Sequence, residues 1–84
     1  MSINDKLEMI KRIDSLVRRR ATGTPSQLAE KLEISERSLF LTLKLMKQLG
    51  APLKYCNFSR NYKYEYRVDF SFGFYYSPNH KKEL

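Results

Sequence analysis

Cysteine, histidine and glycine are scarce in these 84 residues, and each scarcity removes a class of chemistry. The single cysteine, Cys56, rules out an internal disulfide framework and fits a reducing compartment, with the thiol expected on a half-buried strand. The single histidine, His80, lies near the C-terminus, and the carboxylates are scattered over helix surfaces. Neither metal-ligand spacing nor an acid–base or nucleophile pair results, so no enzyme, cofactor or small-molecule ligand is expected. Gly23, Gly50 and Gly73 are too few and too far apart to form a phosphate-cradling loop. No apolar run approaches the roughly 18 residues of a membrane span, and the first residues lack the apolar centre of a secretion signal. The expectation is a soluble, cytoplasmic protein, nucleoid-associated if its partner is DNA. Acidic residues are outnumbered too: 16 Lys and Arg against 9 Asp and Glu give a net charge of +7, which favours a polyanionic partner. A chain of this length makes one domain with a modest core, expected over residues 1–76, with a flexible tail over 77–84.

Three helical segments come first. Over residues 3 to 21, Ile3, Leu7, Ile10, Ile13 and Val17 share one stripe while Asp5, Glu8, Lys11 and Asp14 fall off it, the pattern of an amphipathic core helix. Its end is cationic, Arg18-Arg19-Arg20, and suits either a helix C-terminus on a solvated face or a phosphate contact. The next helix announces its start: Thr24 and Gln27 stand at capping-box spacing, with Pro25 at the first helical position. Leu28, Ala29 and Leu32 give it an apolar face, Ala29 being small enough for a close helix crossing. Ile34 plugs the turn, Ser35 caps a third helix, and Gly50 followed by Pro52 stops it near residue 49. Leu39, Leu43 and Met46 are its core face, with Leu49 at the edge. The opposite face carries Arg37, Leu41, Lys44 and Gln48.

After Gly50 the period changes to two. Residues 53 to 58 read as a strand and 59 to 61 as a turn. From residue 62 onward Tyr62, Tyr64, Tyr66, Val68, Phe70, Phe72, Phe74 and Tyr76 alternate with polar residues, as in one long strand or two in sequence. The predicted architecture is α+β: three helices, a β-hairpin and an aromatic C-terminal strand, the order of a winged helix-turn-helix.

The stretch from Gln27 to Phe40, then Leu43 to Tyr55 with its Leu49-Gly-Ala-Pro-Leu-x-Tyr55 phrase, and then Tyr62 and Tyr64, resembles the small winged helix-turn-helix domain of bacterial transcription regulators of the DeoR, WYL and biotin-repressor groups. The resemblance covers residues 3 to 66. It implies sequence-specific binding of double-stranded DNA, with residues 35 to 49 as the recognition helix and the hairpin as the wing. Three positions depart from the family pattern. Glu33 stands where a turn glycine is usual, Leu41 where arginine is common, and Asn61 where the wing tip has glycine. The effector-binding domains of relatives lie outside the region of resemblance.

The DNA contacts expected are Ser26 and Gln27 on phosphate at the start of the second helix, and Ser35, Glu36, Arg37, Ser38, Leu41, Lys44 and Gln48 along the third. Arg60, Asn61 and Lys63 are expected on the minor groove or its phosphates. Arg37 is the candidate for a bidentate guanine contact, with an ion pair to Glu33 or Glu36 as the rival reading. Leu41 suits a thymine methyl group, yet with Leu45 and Phe40 it equally forms an apolar patch for a protein partner. That patch supports the alternative of a winged-helix protein-interaction module with only general DNA affinity. The aromatic run has three readings: completion of the core, a homodimer interface through Phe70, Phe72, Phe74 and Tyr76, or a stacking platform for single-stranded nucleic acid.

Overall fold

In the computed structural model, which describes residues 2–70, the chain builds three helices followed by a two-stranded antiparallel hairpin. Helix α1 spans Ile3–Arg18, α2 Pro25–Leu32 and α3 Glu36–Gln48. Strands β1, Leu53–Cys56, and β2, Asn61–Tyr64, pair in the register Leu53↔Tyr64 and Tyr55↔Tyr62. This is the α+β order expected from the sequence.

Local signals account for the starts of all three helices. Ser2 and Asp5 form a capping box on α1, Thr24 and Gln27 form one on α2 with Pro25 in its first turn, and the Ser35 hydroxyl accepts the Ser38 N–H at the start of α3. Gly23 sits at φ 72°, a conformation that favours glycine, and a Cβ there would also displace the Gln27 carboxamide from its bond to the Thr24 N–H. The turn between α2 and α3 places Glu33 at φ 58°, ψ 44°, the left-handed region where a side chain costs roughly 1–2 kcal/mol. The chain accepts that cost because the Glu33 and Ile34 N–H groups then close onto the Glu30 and Ala29 carbonyls, bringing Ile34 against the core.

Buried side chains come from every element: Ile10, Ile13 and Val17 of α1, Leu28, Ala29 and Leu32 of α2, Leu39, Leu43 and Met46 of α3, Leu53 of β1 and Tyr62 of β2. The expected stripe on α1 is only partly used. Ile3 remains 68% exposed and Leu7 half-buried, so the first turns find little cover among the described residues.

The end of α1 differs from expectation. The helix stops three residues before Ala21, Arg20 turns left-handed at φ 56°, and the Ala21 N–H reaches back to the Leu16 carbonyl. That early exit lets Thr22 point inward, where it has no exposure to water. Its Oγ1 accepts the Tyr62 N–H at 2.8 Å and donates locally to the Gly23 carbonyl at 3.1 Å. Beside it, the Asn61 Oδ1 accepts the Gly23 N–H at 2.9 Å. The linker between α1 and α2 is thereby bonded to β2.

The aromatic strand also differs from expectation. Strand β2 ends at Tyr64, and the chain bends at Glu65 and Tyr66. Tyr66 is 65% exposed, whereas Phe70 packs against the chain's own core. Phe72, Phe74 and Tyr76, and the tail expected over 77–84, lie outside the described residues.

Two outcomes test these contacts. Thr22→Val keeps the shape but strands the buried Tyr62 N–H, and should cost about 1–3 kcal/mol of unfolding free energy in urea, with Thr22→Ser losing less. Glu33→Gly relieves the left-handed side chain and should raise stability by about 1 kcal/mol; a loss would mean that the turn relaxes when the side chain is removed.

Candidate nucleic-acid interface

Helix α3 turns Leu39, Leu43 and Met46 into the core, which leaves Arg37, Leu41, Lys44 and Gln48 exposed on its other side. Among the described residues Arg37 enters no hydrogen bond or ion pair, so the rival pairing with Glu33 or Glu36 does not form. At the start of the helix, Ser35 and Ser38 are bonded to each other: Ser38 N–H to Ser35 Oγ at 3.1 Å, and Ser35 Oγ to Ser38 Oγ at 3.2 Å. Ser35 is therefore chiefly a cap, and Ser38 keeps a hydroxyl hydrogen to donate. Glu36 is exposed in the first turn and sets a negative charge near the Tyr62 phenol, whose pKa is raised first by burial and then by Tyr55 and Glu36.

Leu41 is 59% and Phe40 48% exposed, but Leu45 is half-buried against the core. The apolar patch expected from Phe40, Leu41 and Leu45 is thus reduced to two side chains. On α2, Ser26 is exposed, while the Gln27 Oε1 is taken by the Thr24 N–H at 2.9 Å.

The hairpin redistributes the roles expected for Arg60, Asn61 and Lys63. The left-handed residue of the turn is Arg60, at φ 55°, and not Asn61. Asn61 belongs to β2, and its amide is spent inside the molecule, accepting from Gly23 and donating from Nδ2 to the Ser59 carbonyl at 3.0 Å. It serves as a bracket, with its carbonyl oxygen and one of its two amide hydrogens already bonded within the molecule. Lys63 faces Lys54 across the strands, and that like-charge pairing is relieved by Glu65, which lies 3.5 Å from the Lys54 ammonium. Arg60 and Lys63 remain exposed at the turn and on the outer strand face.

Of the basic run at the end of α1, Arg18 is committed to structure. Its Nε lies 3.0 Å from both oxygens of Asp14, its Nη2 donates to the Val68 carbonyl at 2.6 Å, and the guanidinium sits 5.4 Å from the Tyr64 ring centre. The Tyr64 hydroxyl donates to Asp14 at 2.7 Å, and burial followed by that bond pushes its pKa well up, so it stays a donor. Asp14, expected on a solvated face, is in fact half-buried and ties the hairpin to α1. Its spacing of four from Arg18 was the only local sign of this. Arg20 stays exposed and lines a polar cleft with Ser59, Lys63 and Cys56.

Thr22 and Phe58 went unmarked in the sequence. Thr22 reads as an ordinary linker residue beside Gly23. Phe58 was placed on a strand, but it sits in the turn and is 98% exposed.

Family models, curated proteins and solved structures were compared with this chain, and none matches. Among the described residues no group of three or more His, Cys, Asp or Glu side chains converges to hold a metal, and no helix is long and apolar enough to cross a membrane.

The Cys56 thiol is lowered to about 7, first by hydrogen bonds from the Ser59 side chain and backbone, then by the Phe58 backbone and the charge of Lys63. The thiolate is the reactive species. Alkylation by iodoacetamide should therefore reach half its maximal rate near pH 7 in the folded protein, and Ser59→Ala should move that midpoint upward. A midpoint near the ordinary value of about 8.5 would mean that the turn does not hold the thiolate.

Proposed function

We propose that this chain is a winged helix-turn-helix domain that binds double-stranded DNA, with α3 in the major groove and the β1–β2 hairpin as the wing, acting as a small bacterial transcriptional regulator. The observation that carries the reading is the outer face of α3: Arg37, Lys44 and Gln48 stand exposed in one row on the second helix of a tightly turned pair, opposite three core residues. A helix of 13 residues is about 20 Å long, and the major groove, about 12 Å wide, admits it. Arg37, the second residue of α3, is the side chain that reads base edges in this arrangement. Lys44, Arg60 and Lys63 supply phosphate contacts on either side, and Ser26 does so from the start of α2. A net charge of +7 supports the same partner through counterion release.

A second reading keeps a specific observation in its favour. Phe40 and Leu41 are adjacent and about half-exposed on α3, as on a helix that docks a protein. Leu41→Arg separates the two, because it should strengthen DNA binding under the first reading and remove a protein partner under the second.

Fluorescence anisotropy across a salt series tests the assignment of roles. Arg37→Ala should cost about 1–3 kcal/mol on a preferred site and flatten the preference at one base position. Arg60→Ala should weaken all duplexes alike and lower the salt slope by about 1. If Arg37→Ala leaves both affinity and preference unchanged, α3 is not the reading helix.

A further inference from the structure

The turn of the hairpin carries an aromatic side chain that the phosphate and base contacts above leave unused. Phe58 is 98% exposed. Single surface aromatics are ordinary, but this one stands on a turn whose backbone is fastened at two points. The Arg60 N–H closes onto the Cys56 carbonyl at 2.8 Å, and the Asn61 amide closes onto the Ser59 carbonyl at 3.0 Å. The turn sets the backbone that carries the ring, so binding has to order only the two side-chain torsions of Phe58. The charge nearest it is positive: Arg60 follows in the turn and Lys63 on β2, whereas Lys54, at the far end of the hairpin, is paired with Glu65. An apolar ring at the apex of a cationic finger is complementary to a surface that is anionic outside and π-stacked within, which describes a nucleic-acid groove.

We infer that Phe58 is a wedge that enters the minor groove of bound duplex DNA and inserts its ring between two base pairs, with Arg60 and Lys63 on the flanking phosphates. Inserted apolar side chains partly unstack a step and kink the duplex toward the major groove. Pyrimidine–purine steps open most readily, so a TpA or CpA step should lie beside the sequence that α3 reads. This inference rests on the double-stranded DNA reading and adds to it a bend and a preferred step.

The chain contains no tryptophan, so Phe58→Trp installs a single indole at the wedge position. The full chain carrying it is titrated with an A·T-rich duplex of about 20 base pairs that has a central TpA step, at near-physiological salt. Binding is followed by anisotropy of an end-labelled duplex, insertion by indole emission, and bending by energy transfer between the duplex ends. On saturation, indole emission should fall several-fold and the ends should draw together. Phe58→Ala, with unchanged far-ultraviolet circular dichroism, should bind about tenfold more weakly and leave the duplex straight. Saturated anisotropy with unchanged indole emission and a straight duplex would overturn the wedge while leaving DNA binding intact. No anisotropy change for the unsubstituted chain would remove the DNA reading and the wedge with it. A blue shift of the indole on phosphatidylserine–phosphatidylcholine vesicles, in that case, would assign the ring to an anionic membrane surface.

Discussion

Thr22 is the constraint on which the arrangement of the described residues depends. A buried hydroxyl must find partners or cost free energy, and this one finds them by accepting the Tyr62 N–H while the adjacent Gly23 N–H bonds Asn61. The two bonds join the linker after α1 to a strand some 40 residues later. The linker leads directly into the Thr24 capping box, so one node fixes both where the hairpin lies and where α2 begins. A second node, Asp14 with Arg18 and Tyr64, holds the other end of β2 to α1. Between these anchors the hairpin has little freedom, and its turn stands at a set position relative to the outer face of α3.

The distribution of positive charge says more than its sum. Several cations are used in holding the fold: Arg18 on Asp14, Arg12 on the Lys31 carbonyl at 3.3 Å, and Lys31 on the Ala21 carbonyl. Arg37, Lys44, Arg60 and Lys63 are exposed on α3 and the hairpin. The first set stabilises helix ends and linkers, as cations near helix C-termini do. The second set is what a polyanion would meet. Net charge alone would not have separated the two, because Arg18 and Arg20 sit in the same run yet only Arg20 stays clear of the interior bonds.

The parts that were legible in the sequence are those governed by local chemistry. Thr24, Pro25 and Gln27 mark the start of α2, Ser35 that of α3, and Gly50 its end, because caps act within one turn of chain. The apolar faces of α2 and α3 were legible for the same reason. The end of α1 was not: its polar and apolar pattern continues through Ala21, and the helix stops at Arg18 because a tertiary bond claims Thr22. Over residues 65–70 the aromatic strand was overread, since alternation reports which side a residue can face and not whether a partner strand exists. Strand β1 offers only four partners, so β2 ends at Tyr64 and Phe70 returns to the core. Asn61 was assigned to the tip of the turn because asparagine tolerates left-handed backbone, but Arg60 takes that conformation and Asn61 becomes a bracket.

Selection of bound sites from a random duplex library at near-physiological salt, followed by sequencing, tests the central claim most directly. A winged helix with α3 in the major groove predicts enrichment of a defined motif a few base pairs long, and an inverted repeat with half-sites about one helical turn apart if two copies bind together. Retention of duplex DNA that is salt-sensitive and without any enriched sequence would contradict it, and would leave the exposed Phe40 and Leu41 of α3 as a surface for a protein partner.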